Sequence, residues 1–236
     1  KQLSQQEYDD YVLHRRSCHL LGNSSTCNSK NCVICAKGKL TLRKSGKTQS
    51  HKGIDKAFCD LIGPVRESRG GKKYVAVLIC NLTRICVTLA IARKSEAYKV
   101  IDLFLLKIRK PKAIQTDGGK EFQGQFEERL KKYGIQHVEV APYLHYLCGT
   151  VERKNRDLAA GIRMALSESG LPYEDWPLAL YYVTYIQNRR IHRTLGHTPF
   201  EELHGTKPSL KNLRQFGCKC IFKLPDEVRT KSEKFS

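Results

Sequence analysis

Apolar and polar residues alternate in short blocks through the middle of this chain, and the period of the blocks changes in a readable way. Short apolar runs occupy 57–62, 74–80, 85–92, 112–116 and 136–140, bounded by glycine or polar turn residues, as expected of strands buried in a sheet. The first three are separated only by Gly-rich or polar turns, which predicts an antiparallel meander. A helical period then appears. KSEAYKVIDLFLLKI sets Val100, Leu103, Phe104 and Ile108 on one helix face, and QFEERLKKYG predicts a second helix stopped by Gly134. From near Thr150 a longer helix carries Val151, Leu158, Ile162 and Ala165 as its buried stripe. Glu152, Arg156 and Arg163 fall within about 40° of one another on a different face, and Asn155 lies between the two. WPLALYYVTYIQNRR, 176–190, predicts a further helix, with Trp176, Leu180, Tyr181 and Tyr185 expected in the core or at a subunit contact. GCKCIFKL reads as a short strand with Cys218 and Cys220 on one face, there for packing. Mixed strands with helices outside them predict an α/β fold.

The flanks of this core differ in kind. Residues 1–36 are rich in Cys and His: His14 and His19 lie five apart, and Cys32 and Cys35 form a CxxC knuckle. Two imidazoles and two thiolates suit tetrahedral Zn²⁺, which in so small a unit would supply folding energy that a core cannot. Cys18 or Cys27 could substitute as a ligand. Residues 37–54 hold Lys and Arg without a single acid, spaced by Ser, Thr and Gly, and read as a basic linker, either a solvated tether or one that follows DNA phosphates. The α/β core, which the carboxylates described below would make catalytic, is expected over 55–204, and 205–236 as the start of a C-terminal region.

Charge sharpens the picture. The 236 residues include 42 Lys and Arg against 23 Asp and Glu, a net charge of +19 that favours polyanionic partners and salt-dependent binding to phosphate backbones. Basicity alone does not separate DNA from RNA. With no run of 18 apolar residues, neither a membrane span nor a membrane partner is expected. No secretory signal is read in the chain, so its ten cysteines are expected as thiols or metal ligands, with Cys59, Cys80 and Cys86 as small core residues. The chain opens at Lys1 without Met, which fits a segment cut from a polyprotein.

Three carboxylates carry the candidate chemistry. Asp60 lies in AFCDLIGPV, Asp117 ends KAIQTD before Gly118-Gly119, and Glu152 opens VERKNRDLAAGIRMAL, with 34 residues between it and Asp117. Two strand positions and one helix start, brought together, would give the oxygen ligands that hard divalent cations prefer. Two such ions about 3.5–4 Å apart can activate a water or hydroxyl and stabilise the leaving oxygen of a phosphodiester.

The passages CDLIGPV, GGKKYVAV, KSEAYKVIDLF, QTDGGKEF, YGIQH, VERKNRDL, LGHTPFEELHGTKPSLKNLRQFGC and KSEKFS, in that order, resemble the integrase of copia-type LTR retrotransposons. The resemblance implies an RNase-H-like core, a mixed five-stranded sheet with flanking helices, preceded by a small zinc-binding helical module. It maps a catalytic, metal-holding triad onto Asp60, Asp117 and Glu152, with two Mg²⁺ or Mn²⁺ ions, and a zinc set onto His14, His19, Cys32 and Cys35. It further implies DNA contacts by Lys120, Lys154, Asn155, Arg156 and Arg163. Its implied partners are element cDNA ends and host target DNA, with the chain as a homo-oligomer. It implies passage through cytoplasmic virus-like particles to the nucleus.

Three departures from the family pattern stand out. Cys80 and Asn81 occupy CNLTR where the family has two acids. Only 12 residues separate His19 from Cys32. Of the loop Leu144–Gly149, only the glycine agrees with the family.

Overall fold

The computed structural model describes residues 5–17, 32, 34–35, 55–140 and 149–220. His19, Cys18, Cys27, the basic linker and the loop residues 144–148 lie outside the described residues. Its first element is α1 (Gln5–Arg16). The sheet comprises β1 (Lys56–Ile62), β2 (Tyr74–Cys80), β3 (Cys86–Ile91), β4 (Ala113–Asp117) and β5 (Gln136–Val140). Between and after them run α2 (Lys99–Leu105), α3 (Gln125–Tyr133), α4 (Gly149–Ser169), α5 (Trp176–Gln187) and α6 (Pro199–His204).

The strand order is β3-β2-β1-β4-β5. β1, β2 and β3 form the expected antiparallel meander, whereas β4 and β5 join β1 in parallel. β2 reads YVAVLIC without alternation because helices cover both of its faces. On one face Val75, Val77 and Ile79 pack with Val151, Leu158, Ala165, Trp176 and Val183 of α4 and α5. On the other, Ala76 and Leu78 pack with Val100, Ile101, Phe104, Phe126 and Leu130 of α2 and α3. The result is a three-layer sandwich, and the four stripe residues expected on α4 are all buried.

Chain ends of helices follow their local chemistry. Gly134 sits at φ 61°, the left-handed turn that closes α3 and sends the chain into β5. Thr198 caps α6, its hydroxyl accepting from the Glu201 amide at 3.0 Å. The α1 segment is fastened to the core: Arg15 pairs with the carboxylate of Glu168, which also accepts from Gln215 Nε2 at 3.0 Å. The Tyr182 hydroxyl is shared between the carbonyl oxygens of Arg16 and Arg214.

One expected strand is corrected. Residues 218–220 form no strand, and Cys218 and Cys220 are exposed instead of packed, while 221–224 of the expected strand lie outside the described residues. Alternation of Cys-Lys-Cys supplied that expectation, and none of the five described strands pairs with these residues. The expected helix over 176–190 ends at Gln187, with Trp176 and Leu180 buried while Tyr181 and Tyr185 are exposed.

Candidate active site

Parallel pairing of β1 with β4 sets the first two carboxylates side by side. Phe58 is level with Gln115, so two residues further along each strand Asp60 comes level with Asp117. Side chains two apart share a face, and neighbouring strands lie about 4.8 Å apart. Phe58 and Ile62 pack with α4 and α5, so this is the face that α4 covers. Glu152 stands in the first turn of α4, where its charge favours the helix N-terminus.

The electrostatics of Asp60 report the convergence of all three groups. Its pKa is raised from 3.8 to about 6, chiefly by burial, and the charges of Asp117 and Glu152 push it further in that direction. Two donors work against the rise. The Leu61 amide donates to Asp60 Oδ1 at 2.8 Å, and Asn155 Nδ2 donates to Asp60 Oδ2 at 2.7 Å. Asn155 lies one turn beyond Glu152 on α4, so one helix supplies a carboxylate to the cluster and the amide that orients another. Asn155 Oδ1 is buried with no hydrogen-bond partner among the described residues. The sequence placed Asn155 among DNA contacts; in the structure its amide donates to Asp60.

Asp117 and Glu152 are exposed, leaving their oxygens open to a ligand. Asp117 Oδ1 also accepts from the Gly119 amide at 3.3 Å. A Cβ on Gly119 would come within 3.1 Å of that oxygen, so glycine there lets the backbone approach the carboxylate. The ligand atoms of the three do not all come within 4.8 Å of one another here, yet the charges of Asp117 and Glu152 reach Asp60, and carboxylate oxygens are the donors a hard divalent cation prefers. Directly behind them, Cys59 points into the opposite core, where burial pushes its thiol well above the ordinary range. It has no part as a nucleophile.

Among the other expected site residues, Arg156, Arg163 and Lys120 are exposed and Lys154 is half-buried. A basic cluster that the sequence did not disclose adjoins them. His192 is held down at about 4 by burial and by the charges of Lys154, Arg84, Arg153 and Arg190. These residues come from the β2–β3 turn, α4 and the segment after α5, so no local spacing advertises them. Arg84 takes φ 58°, an uncommon conformation for a residue with a side chain, at the tip of that turn.

The N-terminal thiols also gather. His14 Nε2 lies 3.3 Å from Cys35 Sγ, and the ligand atoms of His14, Cys32 and Cys35 all lie within 4.8 Å of one another. Zn–N of about 2.0–2.1 Å and Zn–S of about 2.3 Å give a tetrahedral edge of about 3.5 Å, so the three fit zinc. His19, expected as the fourth ligand, lies outside the described residues.

Comparison with known proteins supplies a family and a fold. Residues 51–144 match the Integrase core domain family, a span that includes Asp60 and Asp117. The Retrovirus-related Pol polyprotein from transposon TNT 1-94 of Nicotiana tabacum is 30% identical over 231 residues, covering 93% of this chain and 17% of the polyprotein. That from transposon RE1 of Arabidopsis thaliana is 28% identical over 80% of this chain and 13% of its own length. The chain therefore spans about a sixth or less of these curated relatives. In fold, the HTLV-2 integrase catalytic core domain, solved in complex with magnesium in a trimeric form, gives a TM-score of 0.53 at 20% identity. That match covers 64% of this chain and 97% of the other.

Proposed function

Because the chain is an integrase segment of a retrotransposon Pol polyprotein, with an RNase-H-like α/β core, we propose that it trims the ends of element cDNA and joins them to host DNA. In joining, the freed 3′-hydroxyl oxygen bonds to a target phosphorus and gives up its proton, while the bond from that phosphorus to its 3′ oxygen breaks and the departing oxygen takes up a proton, so the exchange is proton-neutral. No covalent enzyme intermediate is required.

Each of the chain's own groups has a task in this reading. Asp60, Asp117 and Glu152 hold two Mg²⁺ or Mn²⁺ ions, and the magnesium in the HTLV-2 core supports a divalent requirement. When bound, such ions supply charge neutralisation and a water of lowered pKa. Asn155 keeps the Asp60 carboxylate turned toward the cluster. Arg156 and Arg163, on the Glu152 side of α4, grip phosphates, as do Lys120, Lys154 and the cluster around His192. His14, Cys32, Cys35 and His19 hold a structural zinc.

Oligomerisation is assigned to the outer face of α5. Leu178, Tyr181 and Tyr185 are exposed there, beside a groove of about 510 Å³ that Val87, Phe200 and Leu203 help to line. The HTLV-2 core, solved in dimeric and trimeric forms, supports association. The product would act in the nucleus after passage through virus-like particles.

The convergence of three carboxylates at Asp60 carries the proposal. Its test is joining of duplex oligonucleotides bearing element ends to a plasmid with Mn²⁺ present, the expected result being joined product. A DNA-binding remnant would bind the same ends and join none. In that case His145→Pro, Tyr146→Gln, Leu147→Gln and Cys148→Asn together should restore joining if the divergent loop alone is at fault.

A further inference from the structure

A second group of metal-ligating side chains lies on the other side of the sheet. Glu127 stands in the first turn of α3, and His137 and Glu139 lie two apart on edge strand β5. His137 is level with Ile114, which packs into the core beneath α2 and α3, so His137 and Glu139 face α3 rather than α4. One ligand atom from each of the three lies within 4.8 Å of those of the others. We propose that Glu127, His137 and Glu139 form a binding site for a divalent transition cation, zinc foremost, that clips α3 to the edge of the sheet.

The state of the imidazole argues for a ligand. His137 Nε2 is 2.9 Å from Thr116 Oγ1, and Thr116 is buried in β4. Its ring also packs on Phe126 with centroids 5.8 Å apart. Both contacts fix the ring plane, and an Nε2–H donated to Thr116 leaves the Nδ1 lone pair facing outward. This is how a metal-binding histidine is oriented from behind by a second partner. Nδ1 lies 3.7 Å from Glu127 Oε1. Zinc bonds of about 2.0–2.1 Å to N and O would set two tetrahedral ligands about 3.4 Å apart, so a few tenths of an ångström closes the His137–Glu127 pair onto an ion, with Glu139 within 4.8 Å to complete it.

Charge and donor type narrow the occupant. Two carboxylates balance the charge of a 2+ ion, in a chain whose bases outnumber its acids 42 to 23. The nitrogen donor selects zinc and its neighbours over magnesium, which prefers oxygen throughout. Glu139 is exposed, so water can fill the fourth position. The site shares no ligand with the Asp60 cluster or with the cysteines.

Zinc content after dialysis in excess Mg²⁺ tests the assignment with the full chain. Cys32→Ser/Cys35→Ser protein should retain one zinc per chain, and adding His137→Gln or Glu139→Gln should remove it. Glu139→Gln changes an exposed residue and leaves the fold, checked by circular dichroism, in place. A plain Glu127–His137 ion pair predicts no zinc in the cysteine variant, and that result overturns the proposal. Zinc that survives both Glu139→Gln and His137→Gln overturns it equally.

Discussion

Asn155 Nδ2 donates to Asp60 Oδ2 at 2.7 Å, joining residues ninety-five positions apart in the sequence. The bond crosses from α4 to the middle of the sheet and holds one carboxylate beside two others. Asn155→Ala should therefore lower joining by about 10–100-fold, the usual cost of losing a partner that orients a metal ligand. The amide also holds the Asp60 pKa down, so its removal should move the acid limb of the pH–rate profile upward. A rate loss with an unmoved profile would mean that Asn155 serves stability alone.

The raised Asp60 pKa makes a separate prediction about pH. A carboxyl whose folded pKa lies above its unfolded one favours the fold fully below 3.8, and that contribution is lost as pH rises through about 6. Asp60→Asn should thus stabilise the metal-free protein above pH 6, by a part of the ~3 kcal/mol that two units represent, and do nothing near pH 3.5. Divalent affinity should climb as pH rises through about 6, because the ion displaces that proton. Urea melts and Mn²⁺ titrations across this range measure both.

Much of this arrangement was legible in the sequence, for a physical reason. Strands covered on both faces, such as β2, must be apolar throughout, and the α4 stripe must recur at helical period. Those patterns located Asp60, Asp117 and Glu152 on their elements. Contacts between distant segments were not legible. Asn155 sits between two faces of its helix, and only the approach of β1 turned it inward. The neighbours of His192 come from three segments, and the Arg15–Glu168 pair spans 153 positions. The Cys218–Cys220 alternation misled because period two makes a strand only where a partner strand pairs with it, and none of the described strands does.

The basic cluster predicts a measurable salt effect. If Arg190 contacts a phosphate, Arg190→Ala should weaken binding about equally for every DNA sequence and reduce the slope of log K against log[salt] by about 0.9. Fluorescence anisotropy at several salt concentrations reads this. An unchanged slope would remove Arg190 from the interface.

Zinc in the N-terminal segment should be needed locally. Cys32→Ser/Cys35→Ser should release the thiolate-bound zinc and unfold α1, while the five-stranded core keeps its urea midpoint. Metal analysis and amide exchange together decide it, and retained protection in α1 after zinc loss would contradict the assignment.

Core packing sets the scale of stability. Leu158, fully buried between α4 and the sheet, should cost about 2–5 kcal/mol as Leu158→Ala. Leu178, 59% exposed on α5, should cost within about 0.5 kcal/mol as Leu178→Ser. Equal losses in urea unfolding would mean that the α5 face is covered.

The carboxylate cluster is tested most directly by single-turnover joining with wild type and Asp117→Asn side by side in Mn²⁺. A neutral amide is a poorer ligand and cannot balance metal charge. Wild type should join element ends to target DNA, and Asp117→Asn should join none while binding the same DNA with unchanged affinity. Joining that persists at the wild-type rate in Asp117→Asn would contradict the account.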